Sequence, residues 1–342
     1  MPGRVPGGSE GGSRVPANER PCAVIMDGAD GDDVRFAPLR QYLDDHGVDL
    51  RVAVDEQQRE ALLPTAEVLI VLGRDHLRPD EVATLDRAVG IVCLSVGMDK
   101  VPLEAAERGL TVRNVPDYCI DEVSDHALAL VLAGQRRLHE VLPAMREGGW
   151  LAGRGASDPH SLRRLRGQVM AVVGAGRIGR MVARKARAFG IATLAVDPYL
   201  TEDPGPDFPL VALEEALGRA DIIVLCTVLT DENHGLIGDE ALRLVKPGVM
   251  VVNVARGGLI DESALVAALE DGRVRLAALD VRDPEPPMTE DPLRALPGVL
   301  ETPHMAASSI DAVTDLYRKG ADIVTDLLAE AGRLPGTLRS SG

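Results

Sequence analysis

Residues 168–197 read QVMAVVGAGRIGRMVARKARAFGIATLAVD, and this stretch decides the fold. It opens on QVMAVVG (168–174), a short unbroken apolar run of the kind that forms a strand buried on both faces. Glycines follow at 174, 176 and 179. RIGRMVARKARAF (177–189) then repeats apolar residues at helical spacing, and IATLAVD (191–197) is a second apolar run ending in an acid 18 residues after Gly179. The order strand, glycine turn, helix, strand, acid is that of a βαβ unit built to hold a dinucleotide.

Each position has a physical task. Gly174 permits the tight turn, Gly176 lets a pyrophosphate approach the backbone, and Gly179 lets the helix pack close to the sheet. The amides of Arg177 and Ile178, on the first helical turn, are expected to donate to phosphate. Asp197 can accept from both ribose hydroxyls and would repel a 2′-phosphate, and Pro198 and Tyr199 behind it supply no Arg to hold one. The expected cofactor is therefore NAD. The plain alternative is a ligand-free glycine turn, against which the flanking strands and the spacing of Asp197 both weigh.

Outward from this unit the pattern repeats. ADIIVLC (220–226), GVMVVNV (248–254), VRLAALD (274–280) and VLETP (299–303) read as further strands, most of them separated by helical patterns. Upstream, CAVIM (22–26), AEVLIVL (66–72) and GIVCLSV (90–96) form an earlier strand series, with helical spacing over 34–46 and 79–88. DEVSDHALALVLAGQRRLHEVL (121–142) begins with acids in its first turn and reads as one long helix. Residues 1–20 are rich in Gly, Pro, Ser and charge and predict a disordered tail. The expected architecture is α/β with two Rossmann-like or flavodoxin-like domains and a cleft between them. Residues 21–119 plus 308–335 would form a substrate-binding domain, and 120–307 a nucleotide-binding domain.

Composition narrows the partners. Aromatics are 2% of the chain, too few for base-stacking modules, and a net charge of −16 repels nucleic acid and anionic membranes. No apolar stretch reaches membrane-spanning length and no signal-peptide pattern is present, so a cytoplasmic location is expected. Cys22, Cys93, Cys119 and Cys226 lack metal-ligand spacing, and no metal site is expected.

Chemistry-bearing residues cluster at the carboxyl ends of the later strands, where open α/β sheets bind ligands. Arg256 follows 248–254, Asp280 ends 274–280 with Glu285 five residues on, and His304 follows 299–303. Reducing a 2-oxo acid requires a cation for the carboxylate, a proton donor for the developing alkoxide and a partner that orients the donor. Arg, His and Glu suit those tasks in turn. Taken singly, each has an ordinary reading as a surface cation, a turn cap or a loop carboxylate. Their joint placement beside the glycine loop makes Arg256, Glu285 and His304 the candidate catalytic set.

Four blocks, LSVGMDKVPLEAAERGLTVRNVPDY, VVGAGRIGR with Asp197, VNVARGGLIDESAL, and DVRDPEP followed by TPH, closely resemble the D-isomer-specific 2-hydroxyacid dehydrogenases. The resemblance runs from about residue 66 to 330. It implies the same catalytic trio. It implies nicotinamide contacts from Asp280 and the backbone around Val254 and Ala255, and substrate-carboxylate contacts from amides near Ser95, Val96 and Gly97. It also implies a homodimer built mainly through the NAD-binding domain, and reads 148–167 as a linker into the glycine loop. The chain departs from the family in having Cys226, Thr227, Val228, Leu229 and Thr230 where His-x-Pro-Leu-Thr is frequent, which leaves Cys226 and Thr227 as moderate cofactor-contact candidates. Lys100 stands where Asn is frequent, and Ala306 where Gly is.

The expected partner is thus a small 2-hydroxy or 2-oxo acid. A second anionic group on it would meet Arg74, together with Lys100, although a surface ion pair is the more ordinary role for such an Arg. The family's corepressor branch supplies an alternative, a non-enzymatic NAD-sensing scaffold, which the short segment after the last helix disfavours. Oxidation of formate is disfavoured by Glu285, where such enzymes usually carry Gln.

Overall fold

The computed structural model describes residues 20–26, 33–72, 76–156, 162–202 and 204–334. Residues 1–19 of the expected tail and Arg74 lie outside these described residues. Arg20, the last residue of that stretch, is described and pairs with Asp44. The chain divides into two compact units, one comprising residues up to Tyr118 and from Val313 onward, the other Cys119–Ala312. Among the described residues no helix is long and apolar enough to cross a membrane.

The first unit holds β1 (Cys22–Met26), β2 (Asp49–Ala53), β3 (Val68–Leu72), β4 (Gly90–Leu94) and β5 (Thr111–Asn114), in the order β2-β1-β3-β4-β5. All pairings are parallel. Side chains alternate between faces along each strand, which explains why the apolar runs are unbroken. Ala23, Ile25, Val68, Ile70 and Val92 face one core. Val24, Met26, Leu69, Val71 and Ile91 face another. The final helix, Ile310–Glu330, contributes Leu316, Tyr317, Val324, Leu327 and Leu328 to the first of these. β2 and β5 escape a sequence reading because DLRVA and TVRN carry charge on half-exposed faces.

The second unit holds β6 (Val169–Val173), β7 (Ala192–Val196), β8 (Ile222–Leu225), β9 (Val249–Asn253), β10 (Val274–Leu279) and β11 (Val299–Glu301). Its sheet is all parallel, in the order β11-β10-β9-β8-β6-β7. The order reverses at β6, and ligands in such sheets bind beyond the strand ends at this switch point. The expected long helix over 121–142 is two helices, Ile120–Gln135 and Leu138–Ala156. Arg137 breaks it with a left-handed backbone, φ 53°. Apolar periodicity continues across the break, so the pattern alone did not show it. The segment expected as a linker from 148 instead begins inside the second helix, which kinks at Gly149.

Candidate active site

The glycine turn is built as the sequence requires. Gly174 has φ 95°, and a Cβ there would lie 2.6–2.7 Å from the backbone of Cys226 and Thr227. Those two residues therefore wall the turn through their main chain. Burial pushes the Cys226 thiol up to about 12, which leaves it inert as a nucleophile. A Cβ on Gly179 would fall 1.9 Å from the Gly174 carbonyl oxygen, so the helix Arg177–Ala188 reaches the strand only without one. Beside Gly176 the space within 4 Å is open. The amides of Arg177 and Ile178 open that helix, in reach of a group entering the open space.

Asp197 is fastened to this loop. One oxygen accepts the Ala175 amide at 3.0 Å and the other accepts the Tyr199 amide at 3.0 Å. Each carboxylate oxygen has a second lone pair, so ribose hydroxyls can still donate to it. An open approach at Gly176, helix amides ahead of it and a fixed carboxylate at the next strand end fit an adenine dinucleotide.

β9 ends in Asn253, which is fully buried and fastens the loop behind it. Its Oδ1 accepts the Ala255 amide at 3.0 Å, and its Nδ2 donates to the Arg256 carbonyl at 2.8 Å. This places Val254, Ala255 and Arg256 in a defined order beyond the strand. Arg256 donates through Nη1 to the Ala255 carbonyl at 2.9 Å.

His304 lies beyond β11 with φ 51°, an uncommon conformation for a residue with a side chain. Its amide donates to the Asp280 carbonyl at 2.8 Å, and its Nδ1 lies 2.7 Å from Glu285 Oε2. Asp280 is buried beneath this turn. Its Oδ1 accepts from the Thr302 hydroxyl at 2.6 Å and the Met305 amide at 2.9 Å, and its Oδ2 accepts the Ala306 amide at 2.9 Å. His126 Nε2 sits 2.9 Å from Thr302 Oγ1 and 3.4 Å from Asp280 Oδ1. Burial opposes the charge on Asp280, yet the hydrogen bonds from His126, Thr302 and the two amides outweigh it and hold the carboxyl below its ordinary value. Both Asp280 oxygens thus support the His304 turn.

Arg256, Glu285, His304, Asp280 and the glycine loop all belong to the second unit. Ser95, Val96 and Gly97 follow β4 in the first unit and are half-buried, the Ser95 hydroxyl donating to the Gly97 carbonyl at 2.6 Å. Lys100 lies 2.7 Å from His76 through Nζ and Nε2. Sequence reading missed Asn253, Thr302, His126 and Arg282. For Asn253, Thr302 and Arg282 the available signal was a polar side chain at or just beyond the end of an apolar strand run, whereas His126 lies within the helix Ile120–Gln135 and carried no such signal.

Comparison with known proteins follows the same lines. Residues 128–306 match the family model described as D-isomer specific 2-hydroxyacid dehydrogenase, NAD binding domain. The chain belongs to the D-isomer-specific 2-hydroxyacid dehydrogenase family. Its cofactor is NAD. It is 38% identical over 286 residues to a D-3-phosphoglycerate dehydrogenase of Mycobacterium tuberculosis, covering 82% of this chain and 52% of the relative. With the D-3-phosphoglycerate dehydrogenase of Archaeoglobus fulgidus it shares 32% over 299 residues, 86% of this chain and 55% of that one. The chain spans about half the length of these curated relatives. Among solved structures, the TT0316 protein of Thermus thermophilus superposes with a TM-score of 0.78 at 32% identity, covering 92% of this chain and 99% of that one. The D-lactate dehydrogenase of Aquifex aeolicus, complexed with NAD and lactic acid, gives 0.78 at 25% identity, with 93% and 99% covered.

Proposed function

We propose that the protein is an NAD-dependent 2-hydroxyacid dehydrogenase that interconverts a small D-2-hydroxy acid and its 2-oxo acid. The observation that carries this reading is the 2.7 Å contact between His304 Nδ1 and Glu285 Oε2, set beyond the same sheet edge as Arg256 and the glycine loop. Nicotinamide supplies or accepts the hydride when NAD is bound. Gly174, Gly176, Gly179 and the amides of Arg177 and Ile178 would hold the pyrophosphate, and Asp197 the ribose. Val254, Ala255, Asp280, Cys226 and Thr227 would border the remainder.

The chain's own residues divide the acid–base work. Glu285 accepts the Nδ1–H of His304, which leaves Nε2 to exchange a proton with the substrate oxygen. The carboxylate also favours the imidazolium that forms when His304 takes up the alcohol proton. Arg256 pairs with the substrate carboxylate through its planar fork and polarises the neighbouring carbonyl. The family resemblance would also give the backbone amides of Ser95, Val96 and Gly97 a part in binding the substrate carboxylate.

We read the substrate as an acid with a second anionic group, as the phosphoglycerate dehydrogenases among the relatives suggest. The Lys100–His76 pair and Arg74 are the candidate receivers. The named dehydrogenases lend no support to the scaffold alternative. A homodimer through the NAD-binding unit accounts for Leu142, Trp150 and Leu151, which are 50%, 73% and 80% exposed on the helix Leu138–Ala156. Sedimentation showing only monomer would refute the dimer. A cytoplasmic location accords with Cys22, Cys93, Cys119 and Cys226 forming no disulfide, three of them being buried.

The test is a panel of 2-oxo acids with NADH, phosphorylated and dicarboxylic acids included, followed by loss of NADH absorbance. Turnover is expected on at least one acid. Arg256→Ala should cut kcat/KM by roughly a hundredfold or more while NADH affinity stays within a few-fold. Absence of turnover across the panel, with tight NADH binding, refutes the enzymatic reading.

A further inference from the structure

Arg282 stands two residues beyond Asp280, with its side chain 6% exposed. A buried guanidinium requires partners, and three carboxylates meet this one. Nε and Nη2 donate to the two oxygens of Glu262 at 2.8 and 2.9 Å. Nη2 also lies 2.8 Å from Asp291 Oδ2, and Nη1 donates to Glu301 Oε1. Burial opposes the charge on Arg282, and these three acids outweigh it and hold its pKa above the ordinary value.

The three acids come from three places. Glu262 opens the helix behind the Arg256 loop, Glu301 ends β11 just before His304, and Asp291 lies on the far arm of the loop that Arg282 begins. That loop, 281–298, contains Pro284, Pro286, Pro287, Pro292 and Pro297. Its only regular element among the described residues is the short 3-10 turn Leu293–Ala295. It has no ladder of backbone hydrogen bonds to set its path, and a forked cation reaching three segments can do so instead.

The backbone of Arg282 connects this clamp to the site. Its amide donates to Glu285 Oε1 at 2.9 Å, and Glu285 Oε2 holds His304. The next peptide, from Arg282 to Asp283, is pressed by the Arg256 loop, since a Cβ on Gly257 would lie 2.1 Å from the carbonyl carbon and oxygen of Arg282.

We propose that Arg282 is a positioning residue for the reaction, its side chain clamped by Glu262, Asp291 and Glu301 so that its peptide orients Glu285 and, through it, the His304 imidazole. The proposal rests on the reading of Glu285 and His304 as the acid–base pair. Arg282 itself touches neither substrate nor cofactor in this scheme. It acts by keeping one carboxylate in one place.

Two variants test it, because Arg282→Met alone strands three acids and can fail to fold. The second is Arg282→Met/Glu262→Gln/Glu301→Gln, which removes most of the stranded charge. In whichever variant remains folded by circular dichroism, kcat should fall about ten- to a hundredfold, with NADH affinity within about twofold. Added to Glu285→Gln, the Arg282 change should cost less than about twofold more, since both act on one contact. A readout independent of turnover is the tautomer balance of His304, from nitrogen-15 shifts of labelled histidine assigned with His304→Asn. Wild type should favour the Nδ1–H form and the variants should move toward a mixture. Wild-type kcat in the folded triple variant, a full multiplicative loss on top of Glu285→Gln, or an unchanged tautomer balance would each overturn the proposal. If wild type turns over no acid, the proposed reaction fails, and the tautomer balance alone decides the role of Arg282.

Discussion

Gly257→Ala puts the support of the site under direct strain. The added methyl would sit 2.1 Å from the carbonyl carbon and oxygen of Arg282 and 2.6 Å from the amide nitrogen of Asp283. Carbon atoms rest at about 3.5–4.0 Å, so one of the two backbones must retreat by roughly 1.5 Å. Neither is the end of a flexible side chain. Asn253 holds the Arg256 side, and the Arg282 clamp holds the other. Overpacking of this kind costs about 1–3 kcal/mol, which for a domain of this size lowers Tm by roughly 3–10 °C. The displaced peptide joins Arg282 to Asp283 and shares the Arg282 Cα with the amide that donates to Glu285 at 2.9 Å, so a retreat of that size pulls this amide away from its acceptor. A misplacement of about 1 Å in a reacting constellation costs on the order of a hundredfold in rate. The assay is steady-state turnover of the best 2-oxo acid with NADH, beside NADH fluorescence titration and a thermal melt. A Tm drop in that range with kcat down about a hundredfold and NADH affinity within a few-fold is expected. Unchanged kcat in a variant whose Tm has fallen would show that the contact carries stability only, and the reasoning about the Arg282 backbone would be wrong.

Two further outcomes follow from particular contacts. Asp280→Asn turns an acceptor of two backbone amides into a group with donors facing donors, so it should destabilise the protein at neutral pH. The wild-type carboxyl is held below its ordinary value, so its contribution is complete above about pH 4 and is lost as pH falls through the lower folded value. Urea midpoints measured from neutral pH downward should therefore show the gap between wild type and variant closing on the acid side; a constant gap contradicts this. Asp197→Asn should lower kcat/KM for NADH by roughly tenfold to a hundredfold and shrink the preference over NADPH, given what hydrogen bonds to a charged group contribute. An unchanged cofactor ratio would mean that discrimination lies elsewhere.

The sequence by itself determined the α/β architecture with two parallel sheets and the dinucleotide loop. Both rest on local features that no distant contact can supply or remove. Strands buried on both faces must be continuously apolar, and the left-handed backbone at Gly174 and the approach of Gly179 to the Gly174 carbonyl disfavour a Cβ within the turn itself. Tertiary structure decided the rest. Strand order, including the unforeseen β2 and β5, is settled by which edges pair, and edge strands can carry charge. The break at Arg137 is a backbone event that leaves apolar spacing intact. The site's supports are polar groups whose partners lie far along the chain. His304 and Glu285 are 19 residues apart, Arg282 and Glu262 are 20, and His126 and Thr302 are 176. A buried Asn253 or Arg282, or a half-buried Thr302, looks like any surface polar residue until the fold takes it out of water. Only then must each hydrogen-bonding group find a partner, and those obligatory pairings, rather than any local pattern, determine where Glu285 and His304 stand.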